Sequence, residues 1–358
     1  MPALVTGAGG LIGANICRAL LRRGYSVRAL LRPGGNPAAI RGLPVEVVYG
    51  DVRHPETLVP AITGCDVVFH TASIFSYAVQ DEIDMRATAV DGASNVLIAA
   101  KSAGAKRVVL TSSSVVFGNS EQATVRDEKG SFDPSDASPY FLSKVKQEDT
   151  AARLAQDLEL DLVIVNPGIT VGPHDTKLSP SNAIVIAYLS DPFHTTFEGG
   201  CNIVSVRDVA EGHVLAAERG VRNERYLLGS ENLEWSLIHR YVAELCGVPA
   251  PRVYANHTVG YLAATIQEMW AKCTGTKPLT SREQAKMIGR FYWYSHSKAA
   301  AALGYSPGSA RAALADAIAY LIRTPHVSTQ LRRTLAPGKE VYDAQIQLNR
   351  EEPRGHQE

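Results

Sequence analysis

What most limits this chain lies at its start. A short apolar run, Ala3 to Thr6, leads at once into Gly7-Ala8-Gly9-Gly10-Leu11-Ile12-Gly13, and Ala14 to Arg23 has a good helix-forming composition. Gly7, Gly10 and Gly13 recur every three residues. Glycine at such positions permits a sharp turn, a close approach of backbone to a ligand, and tight packing of a helix on a strand. The helix start adds unpaired N–H groups and the positive end of its dipole. A glycine triplet alone fits a plain turn. Between a strand and a helix it points to a dinucleotide whose pyrophosphate rests on Gly7, Gly10, Leu11, Ile12 and Gly13.

The pattern downstream agrees. β-branched apolar runs at 3–6, 26–31, 45–49, 66–69, 107–111 and 160–165 alternate with helical patterns at about 11–23, 55–62, 81–103 and 138–158. Such alternation builds βαβ units and a parallel sheet covered on both faces. The expected fold class is α/β, a Rossmann-type doubly wound parallel sheet. After Asn166-Pro167-Gly168 and Gly172-Pro173 the alternation degrades, and 180–325 is mostly helical or irregular. With 358 residues, two units fit the usual domain size. The expected division is a nucleotide-binding domain at 1–168 with 201–232, and a smaller, mostly helical C-terminal substrate-binding domain at 169–200 with 233–325. Residues 326–358, polar and without periodicity, read as an arm or tail. The Ile203 to Val206 run, with a helix at about 207–219, reads as a return to the first unit.

The second strand bears on which dinucleotide binds. An NAD site presents Asp or Glu at this strand's end for the ribose 2′-hydroxyl; an NADP site removes the acid and supplies Arg for the 2′-phosphate. Here the strand ends Leu30-Leu31-Arg32-Pro33. The pattern favours NADP(H) through Arg32, with NAD(H) as the alternative; the bland reading of Arg32 is a solvated cation at a strand end.

Composition removes other classes of function. Lys plus Arg equals Asp plus Glu at 36 each, so no global field draws nucleic acid or an anionic membrane. The most apolar late stretch, Ala183 to Leu189, is far below the ~18–20 residues that span a bilayer, and no basic-then-apolar leader opens the chain. Five scattered cysteines without a CxxC suit free thiols in a reducing compartment. The expected location is cytoplasmic. His174, His194, His213 and His296 lack metal-ligand spacing, and no metal is expected. His70, ending the fourth strand, reads more simply as structural than as catalytic.

A second constellation starts on the fifth strand at Thr111-Ser112-Ser113-Ser114 and continues at Tyr140-Phe141-Leu142-Ser143-Lys144. Tyr140 and Lys144, four apart, share one face of a helix. The serine run ends a strand, on the edge where nucleotide folds place their ligands.

These motifs together resemble the extended short-chain dehydrogenase/reductase superfamily, also called the NAD-dependent epimerase/dehydratase family. TGAGGLIG, the serine after the fifth strand, YFLSK, NPG, VRDVAEGH and SKAAAALGYSP carry the resemblance over roughly residues 2–325. VRALLRPG, VFHTAS and NPGITVGPHD are most similar to dihydroflavonol 4-reductase-like and hopanoid-associated sugar epimerase-like members. The resemblance implies that Tyr140 acts as acid or base, that Lys144 stabilises its phenolate and binds ribose, and that Ser113 polarises a carbonyl. Ser112 and Ser114 remain alternatives for that serine. It implies contacts to adenine from Asp51 and Val52, to the cofactor from Thr71, Ala72 and Ser73, and to the nicotinamide carboxamide from Pro167 and Gly168. Pairing of two chains as a homodimer through the helices at 81–103 and 138–158 is a further implication. Two departures stand out. Ala89-Val90-Asp91-Gly92-Ala93-Ser94-Asn95 lacks the first Asn and the Thr of the family's NVxGTxN, and Ser114-Val115 replaces the Asp-Glu of nucleotide-sugar dehydratases.

The expected activity is NADPH-dependent reduction of a ketone or aldehyde on a small, hydrophobic or natural-product-like molecule. The alternatives are a nucleotide-sugar 4-epimerase with tightly bound NAD, and a binding protein without turnover. Phe291-Tyr292-Trp293-Tyr294 reads as a buried strand or, with Phe75, Tyr77, Tyr188, Phe193 and Trp270, as an apolar pocket lining. Arg207 is a candidate partner for a sugar diphosphate or a plain ion-pair residue.

Overall fold

A computed structural model describes residues 1–73, 85–133, 138–274, 285 and 287–351. Its strands are β1 (Pro2–Thr6), β2 (Ser26–Leu31), β3 (Glu46–Tyr49), β4 (Val67–His70), β5 (Arg107–Thr111), β6 (Asp161–Pro167) and β7 (Ile169–Val171). Then follow β8 (Thr195–Phe197), β9 (Gly200–Ser205), β10 (Arg225–Leu228), β11 (Glu231–Glu234), β12 (Val253–Ala255) and β13 (Phe291–Tyr292). The helices are α1 (Leu11–Arg22), α2 (Leu58–Ile62), α3 (Gly92–Ser102), α4 (Pro139–Asp157), α5 (Pro180–Ser190) and α6 (Val206–Arg219). They continue with α7 (Trp235–Cys246), α8 (His257–Thr274), α9 (Ser297–Leu303), α10 (Ala310–Leu321), α11 (Thr329–Thr334) and α12 (Lys339–Glu351).

The main sheet runs β10-β6-β5-β4-β1-β2-β3, with every neighbouring pair parallel. Its strands inside the exposed edge strand β3 are apolar on both faces because each face has its own core. Ala3, Val5, Val27, Phe69, Val109 and Val163 pack with α1 and α6. The alternate residues Leu4, Leu30, Val68, Val108, Leu110 and Leu162 pack with α2, α3 and α4. Strand order reverses at β1, between β4 and β2, which opens a crevice at the carboxyl ends of these strands.

The second body holds a small sheet, β11-β9-β13, with β7 also paired to β9. It also has a β8–β12 pair and the helices α5, α7, α10 and α12. Strand β9 therefore belongs to this sheet, and the chain re-enters the main sheet later, through α6 and β10. The sequence run misleads because β9 lies at the seam: Ile203 enters the second body's core and Val204 the main sheet's.

Within the C-terminal stretch, residues 328–351 form two helices despite their polarity. Ser328 caps α11 by accepting from Leu331 N, and α12 buries Val341, Ala344 and Leu348 against the core that holds α10. Three apolar residues at i, i+3 and i+7 suffice to seat a helix whose other faces are wet. Among the described residues no helix is long and apolar enough to cross a membrane.

Candidate functional site

The glycine loop shows why it has no side chains. Gly7 has φ +67°, and a Cβ there would meet Ala72 N and Thr71 Oγ1, each at 2.8 Å. A Cβ on Gly13 would meet the Gly7 carbonyl oxygen at 2.3 Å. Gly10 starts α1 with no side-chain cap, and its N–H donates to Gly7 O at 2.9 Å. Leu11 is buried and Ile12 half-buried. The neighbouring ends of β1 and β4 are stapled: Thr71 Oγ1 donates to Thr6 O at 2.7 Å, and the Thr71 and Ala72 N–H groups donate to Thr6 Oγ1. Ser73 is exposed beside them. This cradle, with uncapped N–H groups at the start of a 12-residue helix, fits a pyrophosphate.

Next to it, Arg32 is exposed just past β2. Asp51 follows β3 and is paired with Arg53, Nη2 to Oδ2 at 2.8 Å. The Arg53 hydrogen bonds hold the Asp51 carboxyl below the usual range, and Arg32 adds to the effect. Val52 is buried, and its carbonyl accepts from Asn95 Nδ2 at 2.9 Å. The family motif's retained Asn thus ties this loop to α3, while Ala89, in place of the missing one, lies in a π-helical turn, Ala87–Asp91. At the other end of the crevice, Pro167 closes β6, and a Cβ on Gly168 would strike Asn202 Oδ1 at 2.7 Å.

Helix α4 begins where Ser138 Oγ accepts from Phe141 N, with Pro139 in the first turn. That start places Tyr140 and Lys144 on one face, both buried. Of the three serines after β5, Ser113 hydrogen-bonds the Tyr140 side chain, Ser112 faces Glu148 and Ser114 faces Tyr294. Burial pushes the Tyr140 phenol up to about 12, opposed by Ser113. Burial also pulls the Lys144 ammonium down to about 8, opposed by Glu148. Lys144 Nζ donates to Gln147 Oε1 at 3.0 Å and to Thr111 O at 3.4 Å.

His70 is buried with Nδ1 2.8 Å from Thr6 Oγ1, and desolvation first, then Lys144, pulls it down to about 3. It is neutral at ordinary pH. The aromatic run is divided: Tyr294 is buried with its hydroxyl on Gly118 O at 2.8 Å, whereas Tyr292 meets Phe141 edge-on at 6.0 Å. Phe141 in turn meets Tyr140 and Phe132 edge-on. Tyr188 stacks on His239 and donates to Pro249 O, and Phe193 is exposed. Phe75 and Tyr77 lie outside the described residues, as does the side chain of Trp270. Arg207 is committed to an ion-pair cluster, with Asp316 at 2.9 Å and Glu351 at 2.5 Å. Cys17, Cys65, Cys201 and Cys246 are free and buried. Among the described residues no group of three His, Cys, Asp or Glu side chains could hold a metal.

Sequence reasoning passed over Glu148, Asn166 and Gln147. Asn166 Nδ2 donates both to the Glu148 carboxylate and to Ser113 O. The one available signal was spacing, since Tyr140, Lys144 and Glu148 fall at i, i+4 and i+8.

A seven-stranded doubly wound sheet, a glycine cradle and a Ser–Tyr–Lys cluster on its carboxyl edge define the class, that of the extended short-chain dehydrogenases/reductases. Residues 3–229 match the model of the NAD dependent epimerase/dehydratase family, and the chain belongs to that family. It is an NAD(P)-dependent oxidoreductase of the extended type. The chain is 34% identical over 337 residues to a protein of Synechocystis sp. that bears the name dihydroflavonol 4-reductase, covering 91% of this chain and 96% of that one. It is 33% identical to sterol demethylase protein B of Methylococcus capsulatus, covering 89% and 98%. Among solved structures, gox2253 superposes with a TM-score of 0.79 at 36% identity, covering 90% of this chain and 98% of that one.

Proposed function

We propose that this protein is an NADPH-dependent reductase of a ketone or aldehyde carbonyl on a small hydrophobic substrate, with Tyr140 as proton donor. The observation that carries this reading is the Ser113–Tyr140–Lys144 cluster beside the edge-on aromatics Phe141, Tyr292 and Phe132. In such a site the cofactor supplies a hydride to the carbonyl carbon. Gly7, Gly10, Leu11, Ile12 and Gly13 would hold its pyrophosphate, Asp51 and Val52 its adenine, Arg32 its 2′-phosphate, Lys144 its ribose, and Pro167 and Gly168 its carboxamide, with Thr71, Ala72 and Ser73 alongside. Ser113 Oγ donates to the substrate oxygen, and the Tyr140 hydroxyl delivers the proton that oxygen needs as negative charge builds on it. With its phenol near 12, Tyr140 is protonated and ready to donate across the neutral range. Lys144, charged below about 8, stabilises the phenolate that remains.

NADP(H) is favoured because β2 ends in Arg32 and not in an acid, and the acid that follows β3, Asp51, is paired with Arg53. A sugar diphosphate would need basic partners, and Arg207 is committed to Asp316 and Glu351. A relative from Stigmatella aurantiaca, 32% identical over 64% of this chain, is named a ketoreductase of a farnesyl-bearing quinoline oxide, and others are named cinnamoyl-CoA reductases. Both names fit flat or apolar carbonyl substrates. The test is NADPH oxidation against a panel of aromatic and aliphatic carbonyls, with Tyr140→Phe as control. Turnover on an aromatic carbonyl that collapses in Tyr140→Phe supports the proposal; turnover that survives the substitution defeats it.

A further inference from the structure

Helix α4 carries a third polar side chain on the face of Tyr140 and Lys144. Glu148, one turn past Lys144, is only 5% exposed. A carboxylate is buried this deeply only when paired and hydrogen-bonded. Its partners come from two other elements. Asn166, on β6, donates Nδ2 to Oε1, and Arg225, on β10, donates Nη1 to Oε2 at 3.4 Å. The same Asn166 nitrogen donates to the Ser113 carbonyl oxygen at 3.1 Å. Glu148 is therefore the point where the supports of Ser113 and of Lys144 meet.

We propose that Glu148 is a positioning residue for the Ser113–Tyr140–Lys144 cluster: its carboxylate anchors Asn166 against the Ser113 backbone and lies buried one helix turn from Lys144. The proposal rests on reading that cluster as the site of proton transfer.

The groups that face Lys144 are His70 from β4, the Thr111 carbonyl from β5, and Gln147 and Glu148 from its own helix, on which Tyr140 lies one turn earlier. His70 is neutral and Gln147 and Thr111 carry no charge, so Glu148 is the counter-charge. Arg225 is held at the same carboxylate and also donates to Glu128 O at 2.7 Å. Replacing Glu148 by Gln removes the anion that pairs with Arg225 and opposes the burial of Lys144. Burial then acts on Lys144 unopposed, and it loses its proton at lower pH. A residue that merely tied α4 to β6 would leave that titration in place.

The test follows Lys144 directly. Protein labelled with 13C at lysine Cε is titrated by NMR, and the Lys144 resonance is assigned by its loss in Lys144→Arg. The midpoint lies near 8 in the native chain and falls by about one unit or more in Glu148→Gln, with the upper limb of the carbonyl-reduction pH profile moving in step. Asn166→Ala lowers kcat and leaves the midpoint where it was. An unmoved midpoint in folded Glu148→Gln overturns the proposal. If that variant does not fold, Glu148→Asp, which keeps the charge but withdraws it by one methylene, must move the midpoint in the same direction by less, and an unmoved one overturns it equally. Movement of the midpoint without turnover of any carbonyl supports the coupling and removes the reductase reading instead.

Discussion

Gly13→Ala tests whether the cradle is built for close approach. Gly13 lies in the first turn of α1, where Ala is the better helix former by about 1 kcal/mol, so propensity alone predicts stabilisation. Packing predicts the reverse. The new Cβ would sit 2.3 Å from Gly7 O, 2.8 Å from Gly7 C and 2.9 Å from Thr71 Oγ1, two of these being backbone atoms that cannot rotate away. The helix must retreat from β1 by about 1 Å to restore ordinary contact, and overpacking of this kind costs about 1–3 kcal/mol. The net is a loss of up to about 2 kcal/mol, seen as a melting temperature lower by up to roughly 3 °C for a chain of this size. The retreat also carries the N–H groups of α1 away from a phosphate, and displacements of about 1 Å can cost on the order of a hundredfold in function. Thermal unfolding and an NADPH fluorescence titration measure the two effects. Gly10→Ala is the internal control for stability: its φ is −99° and its nearest protein neighbour would be Gly7 O at 3.3 Å, so it keeps most of the melting temperature. A Gly13→Ala chain that melts and binds like the native one refutes the steric argument.

Arg32→Ala removes a charge-assisted contact worth about 1.5–3 kcal/mol, taken at the low end because the side chain is exposed. NADPH affinity should fall by roughly tenfold with NADH affinity little changed, and equal effects on both would exclude a 2′-phosphate contact. His213 is buried between Thr111 Oγ1 at 2.8 Å and Val209 O at 2.7 Å, and burial pulls it down to about 4. The unfolded chain binds that proton more readily, so stability is present above about 6.5 and is lost as pH falls toward 4. Melting curves of His213→Gln should be flatter than native across that window, and parallel curves would contradict the assignment. Leu348→Ala, at a 1% exposed position in α12, should cost about 2–5 kcal/mol, whereas Ile346→Ala, 51% exposed, should cost little. Matching melting temperatures in the two variants would show that α12 does not contribute to the core.

The main sheet is legible because its signal is local and redundant. Strands β1, β2, β4, β5 and β6 are runs whose alternate residues enter two different apolar cores, so apolar character is nearly continuous, unlike the exposed edge strand β3. Legibility fails where an element serves two bodies. Strand β9 divides its side chains between the two cores, and nothing in Ile203 to Val206 says which sheet supplies its hydrogen-bonding neighbours. Helix α12 fails for a different reason. Its three buried residues are diluted among polar ones, and only the presence of α10 makes that thin stripe meaningful.

The site divides along the same line. Gly7 and Gly13 announce themselves because a missing side chain is a property of one residue, and Tyr140 with Lys144 because a helix fixes their relation. The choice among Ser112, Ser113 and Ser114 needed the register of the turn after β5 against α4, a tertiary fact: one residue either way points the hydroxyl at Glu148 or at Tyr294 instead of Tyr140. Glu148 and Asn166 are 18 positions apart, and Arg225 is 77 beyond Glu148, so no spacing rule joins them. What joins them is the parallel order β5-β6-β10 beneath α4, which brings an Asn and an Arg from consecutive strands to one buried carboxylate. The charge balance of the whole chain conceals this arrangement. A net charge of zero says nothing about the buried Lys144 and Glu148 or the partly exposed Arg225 that reaches the same carboxylate, yet in the proposed mechanism that local sum decides whether Lys144 still carries its proton.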